Sequence, residues 1–375
     1  MKILIATGIY PPDIGGPATY SKIIGEELTR RGHSIVILTY GNCNDPGVVC
    51  VSRKIPKGLR HAVYFLKTIW HGARADIIFA QDPVSVGLPS SLAAILLRKK
   101  FIVKIVGDYA WEQGMQRFGV KDLLDDFLAH RYGARVELLR RIQFFTARRA
   151  KVILVPSDYL KSVVARWGIS EKFIQVIPNS ARAPRLLSKN EAKKKLGLEG
   201  RVLLSAGRFV PWKGFGMLVE LAGRLHKKMP FTLVILGDGP ERVPLEALKN
   251  RLKLDSCVFM PGRVSKDILD LYLASSDAFL LNTAYEGFSH QLLEAMIAGV
   301  PIIATNAGGN KEILIDGENA IIAAYNDQES WTRALERFFE DSPLRARMAN
   351  EGRRLKDHFT IDDMMSSLVT CFESL

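Results

Sequence analysis

The chain has 375 residues, of which 47% are hydrophobic and 24% charged, and it carries a formal net charge of +13. That length allows two domains, each with its own core, and the balance excludes disordered and fibrous classes. Residues 1–180 hold 26 Lys+Arg against 14 Asp+Glu, so they carry +12 of the +13, which directs the first half toward something acidic: nucleic acid, a lipid surface or a phosphorylated acceptor.

Residues 2–7 form a short apolar run, fit for a buried parallel strand and unlike an export signal. The expected location is therefore cytoplasmic. A Gly-rich turn containing Gly15 and Gly16 then precedes a helical pattern, where glycines let the backbone approach a phosphate. The spacing is not G-x-G-x-x-G, which disfavours a nicotinamide oxidoreductase. Further strands are expected at 34–39, 48–51, 76–80, 101–106, 151–155 and 173–177, with helical patterns between most of them. Such alternation predicts a parallel α/β sheet with ligands at the carboxyl ends of its strands. Asp82 and Asp108 stand at two such ends.

The longest mostly apolar run, 84–97, falls short of the ~20 residues of a spanning helix. Residues 122–151 mix Leu138, Leu139, Ile142, Phe144 and Phe145 with seven basic residues, a composition suited either to an anionic membrane surface or to a core-facing helix with a solvated basic face. No aromatic-basic motif or helix-turn-helix accompanies the charge, so nucleic acid is not expected as a partner. Cys43, Cys50, Cys257 and Cys371 lack C-x-x-C spacing and read as free thiols.

A polar linker at 181–190 ends the first half, and a second strand and helix series starts at 202. Strands are expected at 202–206, 233–236, 258–260, 278–281, 301–304 and 321–323. After the first of these come Arg208 and Lys213, flanking a Pro-Trp turn before a helix. Two cations beside a helix N-terminus suit a diphosphate, the arginine bidentately and the lysine as a point charge. Gly237-Asp238-Gly239 reads as ordinary turn punctuation.

The stretch from Asn282 to Ile313 is the most informative. It predicts a strand, a loop, a helix from about Ser289, another strand, and a second helix opened by Gly308-Gly309. Two helix N-termini would then face one edge and offer backbone N–H groups to an anion, through Phe288, Ser289, His290 and Gln291 and through the glycine pair. Glu286 and Glu294 flank that pocket, on the order of 12 Å apart if the whole span were helical. A carboxylate accepts two sugar hydroxyls, so one suits a ribose and the other a transferred sugar. No Asp-x-Asp metal motif stands at a strand end, so no metal or other cofactor is expected.

Residues Glu286 to Thr305, from Glu-Gly-Phe-Ser-His-Gln-Leu-Leu-Glu through Gly-Val-Pro-Ile-Ile-Ala-Thr, resemble the E-x7-E signature of the retaining glycosyltransferases of family 4. The resemblance implies two Rossmann-like α/β domains facing across a cleft, the GT-B fold. These would be residues 1–180 for the acceptor, 181–355 for the nucleotide sugar, and 356–375 as a helix returning to the first. It implies a donor diphosphate held by Arg208 and Lys213, a base against Val264, and Gly16 meeting the diphosphate as the cleft closes. Gln81 and Gly107 stand where the family usually carries histidines, which makes Asp108 the candidate to substitute for the second or to orient an acceptor hydroxyl; a helix cap is its alternative role. The implied reaction is hexosyl transfer from a UDP- or GDP-linked sugar to a glycan or lipid-linked acceptor, in polysaccharide or glycolipid synthesis at the inner face of the membrane. A nucleotide-sugar epimerase, a phosphorylase and a non-catalytic membrane-associated binding protein are the alternatives.

Overall fold

The computed structural model describes residues 1–13, 15–42, 45–184 and 187–375. The chain divides into two compact units, one comprising Met1–Pro178 with Asp362–Leu375 and the other Asn179–Ile361. These bounds lie a few residues from the expected breaks at 180 and 355.

Unit 1 runs through β1 (Lys2–Ala6), α1 (Gly16–Arg30), β2 (Ser34–Tyr40), β3 (Val48–Val51), α2 (Lys57–Gly72), β4 (Ile77–Ala80) and α3 (Gly87–Leu97). It continues with β5 (Lys100–Lys104), α4 (Tyr109–Arg117), α5 (Leu124–Ala129), α6 (Ala134–Arg149), β6 (Val152–Val155), α7 (Asp158–Arg166) and β7 (Ile174–Val176). The strands pair in parallel in the order β3-β2-β1-β4-β5-β6-β7. Apart from their first residues, β1 and β5 are buried throughout, as expected for strands covered by helices on both faces.

Unit 2 begins with α8 (Lys189–Leu196), β8 (Val202–Ala206), α9 (Phe215–Leu225), β9 (Thr232–Leu236), α10 (Arg242–Arg251), β10 (Val258–Gly262) and α11 (Lys266–Ser275). It ends with β11 (Ala278–Leu281), α12 (His290–Ile297), β12 (Ile302–Thr305), β13 (Ala320–Ala323), α13 (Gln328–Glu340) and α14 (Ser342–Arg354). Its parallel sheet has the order β10-β9-β8-β11-β12-β13. Successive strand residues serve opposite faces: Leu203, Ile235, Leu280 and Ile303 fill the core under α9 and α13, whereas Val202, Leu204, Phe279 and Ile302 fill the one under α12. Burying each such side chain contributes about 2 kcal/mol.

The last helix, α15 (Ile361–Glu373), belongs to unit 1. Phe372 stacks edge-on against Phe79 with ring centroids 5.4 Å apart, and Arg31 donates to Asp362 at 3.0 Å. Among the described residues no helix is long and apolar enough to cross a membrane.

The run 122–151 contains two helices, α5 and α6, broken at residues 130–133 around Gly133. Two expectations change. The helix expected from Gly308-Gly309 is only a five-residue 3-10 turn, Gly308–Glu312. Cys257 and Cys371 are buried free thiols, but Cys50 is disulfide-bonded, since motif spacing is not needed to bring a thiol to a partner; Cys43 lies outside the described residues.

Candidate active site

In unit 2, β8 and β11 are neighbours in the sheet although β9 and β10 follow β8 in the chain. The connections leaving these two strands therefore diverge, and the crevice at their carboxyl ends is where open α/β sheets bind ligands. The loop after β8 carries Arg208 and Lys213, and the loop after β11 carries Glu286.

These loops are fastened to each other. Ala284 N donates to the Trp212 carbonyl at 2.8 Å and Thr283 Oγ1 donates to the same oxygen at 3.2 Å. Asn282 Nδ2 donates to the Gly214 carbonyl at 2.9 Å and to Asn326 Oδ1 at 2.8 Å, while its own Oδ1 accepts from the Asn326 amide at 3.1 Å. Thr305, at the end of β12, accepts from the Thr283 amide and donates to its carbonyl. The result is a buried ion pair between Lys213 Nζ and Glu286 Oε1, with about a tenth of each side chain exposed. Asn282, Thr283, Thr305 and Asn326 escape a reading for charge, because they are uncharged and bond to backbone groups and to one another. Only their position at or just after strand ends signals it.

Gly308 supports Glu286 from the other side. A Cβ there would lie 2.0 Å from the Glu286 carbonyl oxygen, and its φ of +58° is one that glycine adopts without strain. The Gly309 amide donates to the Glu286 carbonyl at 2.9 Å. This corrects the expectation that the glycine pair opens a second anion-binding helix end: the turn is short, and the Gly309 N–H is already spent on fixing the Glu286 loop.

The helix expected from Ser289 is present as α12. Ser289 is its N-cap, with its hydroxyl accepting from the Leu292 amide at 3.3 Å, and its own amide donates to Asn310 Oδ1 at 3.3 Å. Phe288 is buried, stacks on Phe359 at 5.4 Å, and gives its carbonyl to Asn179 Nδ2 at 3.1 Å. Both residues, expected to bind the donor, thus have side chains committed to structure. His290 and Gln291 form the first turn of α12 and are partly exposed. Asn310 is wholly buried, and its Nδ2 finds no hydrogen-bond partner among the described residues.

Glu294 lies on α12 and is paired with Lys266, the first residue of α11, at 2.5 Å. The approach satisfies an ion pair but not the angle of a hydrogen bond. Lys266 is a residue sequence reasoning passed over. Lys266 follows Val264 by two positions, and Val264 packs on the core beneath α12. Val264, expected against the base, and Glu294, one of the two carboxylates expected to take sugar hydroxyls, are therefore on adjoining elements. Arg208 is exposed at its loop, which is held against the next turn: a Cβ on Gly237 would fall 1.8 Å from the Gly207 carbonyl oxygen, and the Phe209 amide donates to the Asp238 carbonyl at 3.0 Å. Gly237-Asp238-Gly239 is a structural turn, as expected, but one that positions Arg208.

In unit 1, Gly16 is the first residue of α1. Gly107 is buried, beside the exposed Val106, and Gln81 is buried with no partner for its Nε2 among the described residues. Asp108 has no exposure; its carboxylate caps α4 by accepting from the Trp111 amide at 2.9 Å and also accepts from Gln143 Nε2 at 3.2 Å and Trp167 Nε1 at 3.0 Å. Burial raises its pKa, against the pull of those hydrogen bonds. This corrects the assignment of Asp108 to substrate: a carboxylate with no exposure and both oxygens occupied acts as a cap. Asp82 likewise caps the turn before α3, accepting from the Val84 amide at 2.8 Å and from the Ser85 amide and hydroxyl, each at 2.5 Å. Among the described residues no group of His, Cys, Asp and Glu is placed to hold a metal.

Comparison with known proteins gives this arrangement its family. Residues 188–355 match the family described as glycosyl transferases group 1, and residues 15–180 match a glycosyl transferase 4-like domain. The lipopolysaccharide core biosynthesis glycosyltransferase LpsE of Rhizobium meliloti (strain 1021) is 33% identical over 179 residues, 48% of this chain and 51% of that protein. The N-acetyl-alpha-D-glucosaminyl L-malate synthase of Bacillus anthracis is 23% identical over 99% of this chain and 97% of its own. Anabaena Alr3699/HepE, solved in complex with UDP and glucose, superposes with a TM-score of 0.81 at 18% identity, all of both chains being covered. The chain belongs to the group 1 glycosyltransferases of the family 4 type, with the GT-B fold of two parallel-sheet α/β domains.

Proposed function

We propose that this chain transfers a hexosyl group from a UDP- or GDP-linked sugar to a glycan or lipid-linked acceptor in polysaccharide or glycolipid synthesis, with retention at the anomeric carbon. The observation that carries the reading is the buried Lys213–Glu286 pair at the carboxyl ends of β8 and β11, with the Lys266–Glu294 pair joining α11 and α12, the helices before and after β11. Two solved structures of Anabaena HepE hold UDP or UDP-glucose on the same fold, which supports the donor class.

In this reading Glu294 takes the ribose hydroxyls, Val264 lies against the base, and Glu286 takes hydroxyls of the transferred sugar. Arg208 and Lys213 face the diphosphate, with the first turn of α12 around His290 and Gln291. The bond from the anomeric carbon to the phosphate oxygen breaks, and its electron pair stays on the diphosphate. Fixed cations aimed at that growing charge lower the barrier without reorganising. The acceptor oxygen adds to the same face of the anomeric carbon, and its proton passes to the leaving phosphate oxygen. Neutralisation is assigned to Arg208 and Lys213, with no metal or other cofactor required.

The test is release of free nucleoside diphosphate as a function of acceptor, with chelator present throughout. Transfer requires release to depend on acceptor. Glu286→Gln should cut kcat by at least about a hundredfold while leaving nucleotide affinity within a fewfold of wild type. Undiminished turnover in Glu286→Gln, or release that ignores the acceptor, would falsify the assignment.

A further inference from the structure

The packing of α3 is inverted relative to an ordinary amphipathic helix. Its buried side holds Ser90, Ser91, Ala93 and Ala94, while Leu92, Ile95 and Leu96 are exposed, Leu96 to 64%. Helix α2 packs beside it and repeats the pattern: Leu59, Ala62, Leu66 and Trp70 fall at intervals of three to four residues along its outer side, with Leu66 exposed to 62% and Trp70 to 71%. A contiguous apolar surface of this kind marks a contact with a membrane or another protein.

Charge decides which. The sequence has no Asp or Glu between residues 46 and 75 or between 83 and 107, the segments that contain both helices. A Cβ on Gly72 would lie 3.3 Å from Leu97 Cδ1, so the last turns of α2 and α3 abut. Arg74, Arg98, Lys99 and Lys100 are therefore gathered at one end of the patch. Asp76, the carboxylate close to that end, accepts from the Lys2 amide at 2.7 Å. Two copies meeting through this face would set like charges against each other.

We infer that the outer face of α2 and α3 docks on an anionic lipid bilayer, with Leu59, Leu66, Trp70 and Leu96 entering the acyl boundary and Arg74 and Arg98–Lys100 meeting the phosphate headgroups. Tryptophan with a row of leucines is the side-chain set suited to that boundary. The segment 122–151, where the sequence places its membrane candidate, is a neighbour: α6 packs on α3 and adds the exposed Leu138, Arg141, Arg148 and Arg149 to the same layer of helices. The inference goes beyond sugar transfer and rests on unit 1 alone.

It is tested by vesicle flotation of the full chain, with phosphatidylcholine alone and with about a third phosphatidylglycerol, alongside light scattering without lipid. The wild type should float with the anionic vesicles, less so as salt rises, and Leu66→Gln/Trp70→Gln should lower that partitioning by roughly tenfold. Because both residues are exposed, the variant should keep the wild-type melting midpoint and nucleotide affinity, which separates this test from the donor-site reading. Absence of flotation with either vesicle, equal flotation of the variant, or a wild-type dimer that the variant abolishes would each overturn the inference, the last in favour of a second copy.

Discussion

Lys213 and Glu286 are nearly buried, so their pairing has consequences for stability as well as for transfer. Removing one partner leaves the other charge in a poorly solvated place, which typically costs more than removing both. Lys213→Met should therefore destabilise the protein by about 3 kcal/mol, and Lys213→Met/Glu286→Gln should recover much of that loss. Urea unfolding of the four proteins in this cycle measures the coupling, and additive single effects would show that the pair is not one unit. The acid and the base were legible in the sequence as charged residues after strand ends. Their contact was not, because residues 73 apart in the chain are joined by Asn282, Thr283 and Thr305, whose side chains bond to backbone atoms. Asp108 shows the converse: an Asp at a strand end is compatible with a ligand contact or a cap, and only the Trp111, Gln143 and Trp167 donors around it decide for the cap.

The strands were the most legible elements, since buried parallel strands are continuous apolar runs and their observed ends lie within a residue or two of the expected ones. Helix α12 was also foreseen, its Ser cap standing before an apolar periodic run. The turn at Gly308 was not, because glycines before a polar run signal a helix start and a tight backbone contact equally well. At the opposite, amino-terminal ends of β8 and β11, α8 is tied to the sheet through Asp277, which pairs with Lys189 at 2.6 Å and Lys193 at 3.4 Å and accepts from the Val202 amide at 2.8 Å. Burial alone would raise the Asp277 pKa, but these hydrogen bonds and the two lysine charges outweigh it and bring it below the usual value. A depressed folded-state pKa stabilises above the unfolded value, near 4, and that stability is lost as pH falls through the folded value. Asp277→Asn should thus melt lower than wild type at neutral pH, with the gap closing as pH drops below about 4. A gap that is constant across pH would show that the charge of Asp277 is not the source.

At the scale of the molecule, charge and site separate by unit: most of the excess positive charge, +9 of the +13, and the exposed α2–α3 face are in unit 1, whereas the paired carboxylates and cations are in unit 2. The two-domain plan was legible from the repeat of strand and helix alternation on either side of the linker at 181–190. The exposed leucines were not, because apolar periodicity in a helix does not say which side meets the core; the serines and alanines of α3 pack inward instead. The measurement that tests the account most directly is the melting shift of wild type and Glu294→Ala with UDP, GDP, ADP and NADH. A nucleoside diphosphate at a hundred times its Kd adds about 2.7 kcal/mol of stability, so the account predicts a raised midpoint with UDP or GDP that Glu294→Ala abolishes. No shift with any nucleoside diphosphate, a shift with NADH, or a shift that survives in Glu294→Ala would contradict it.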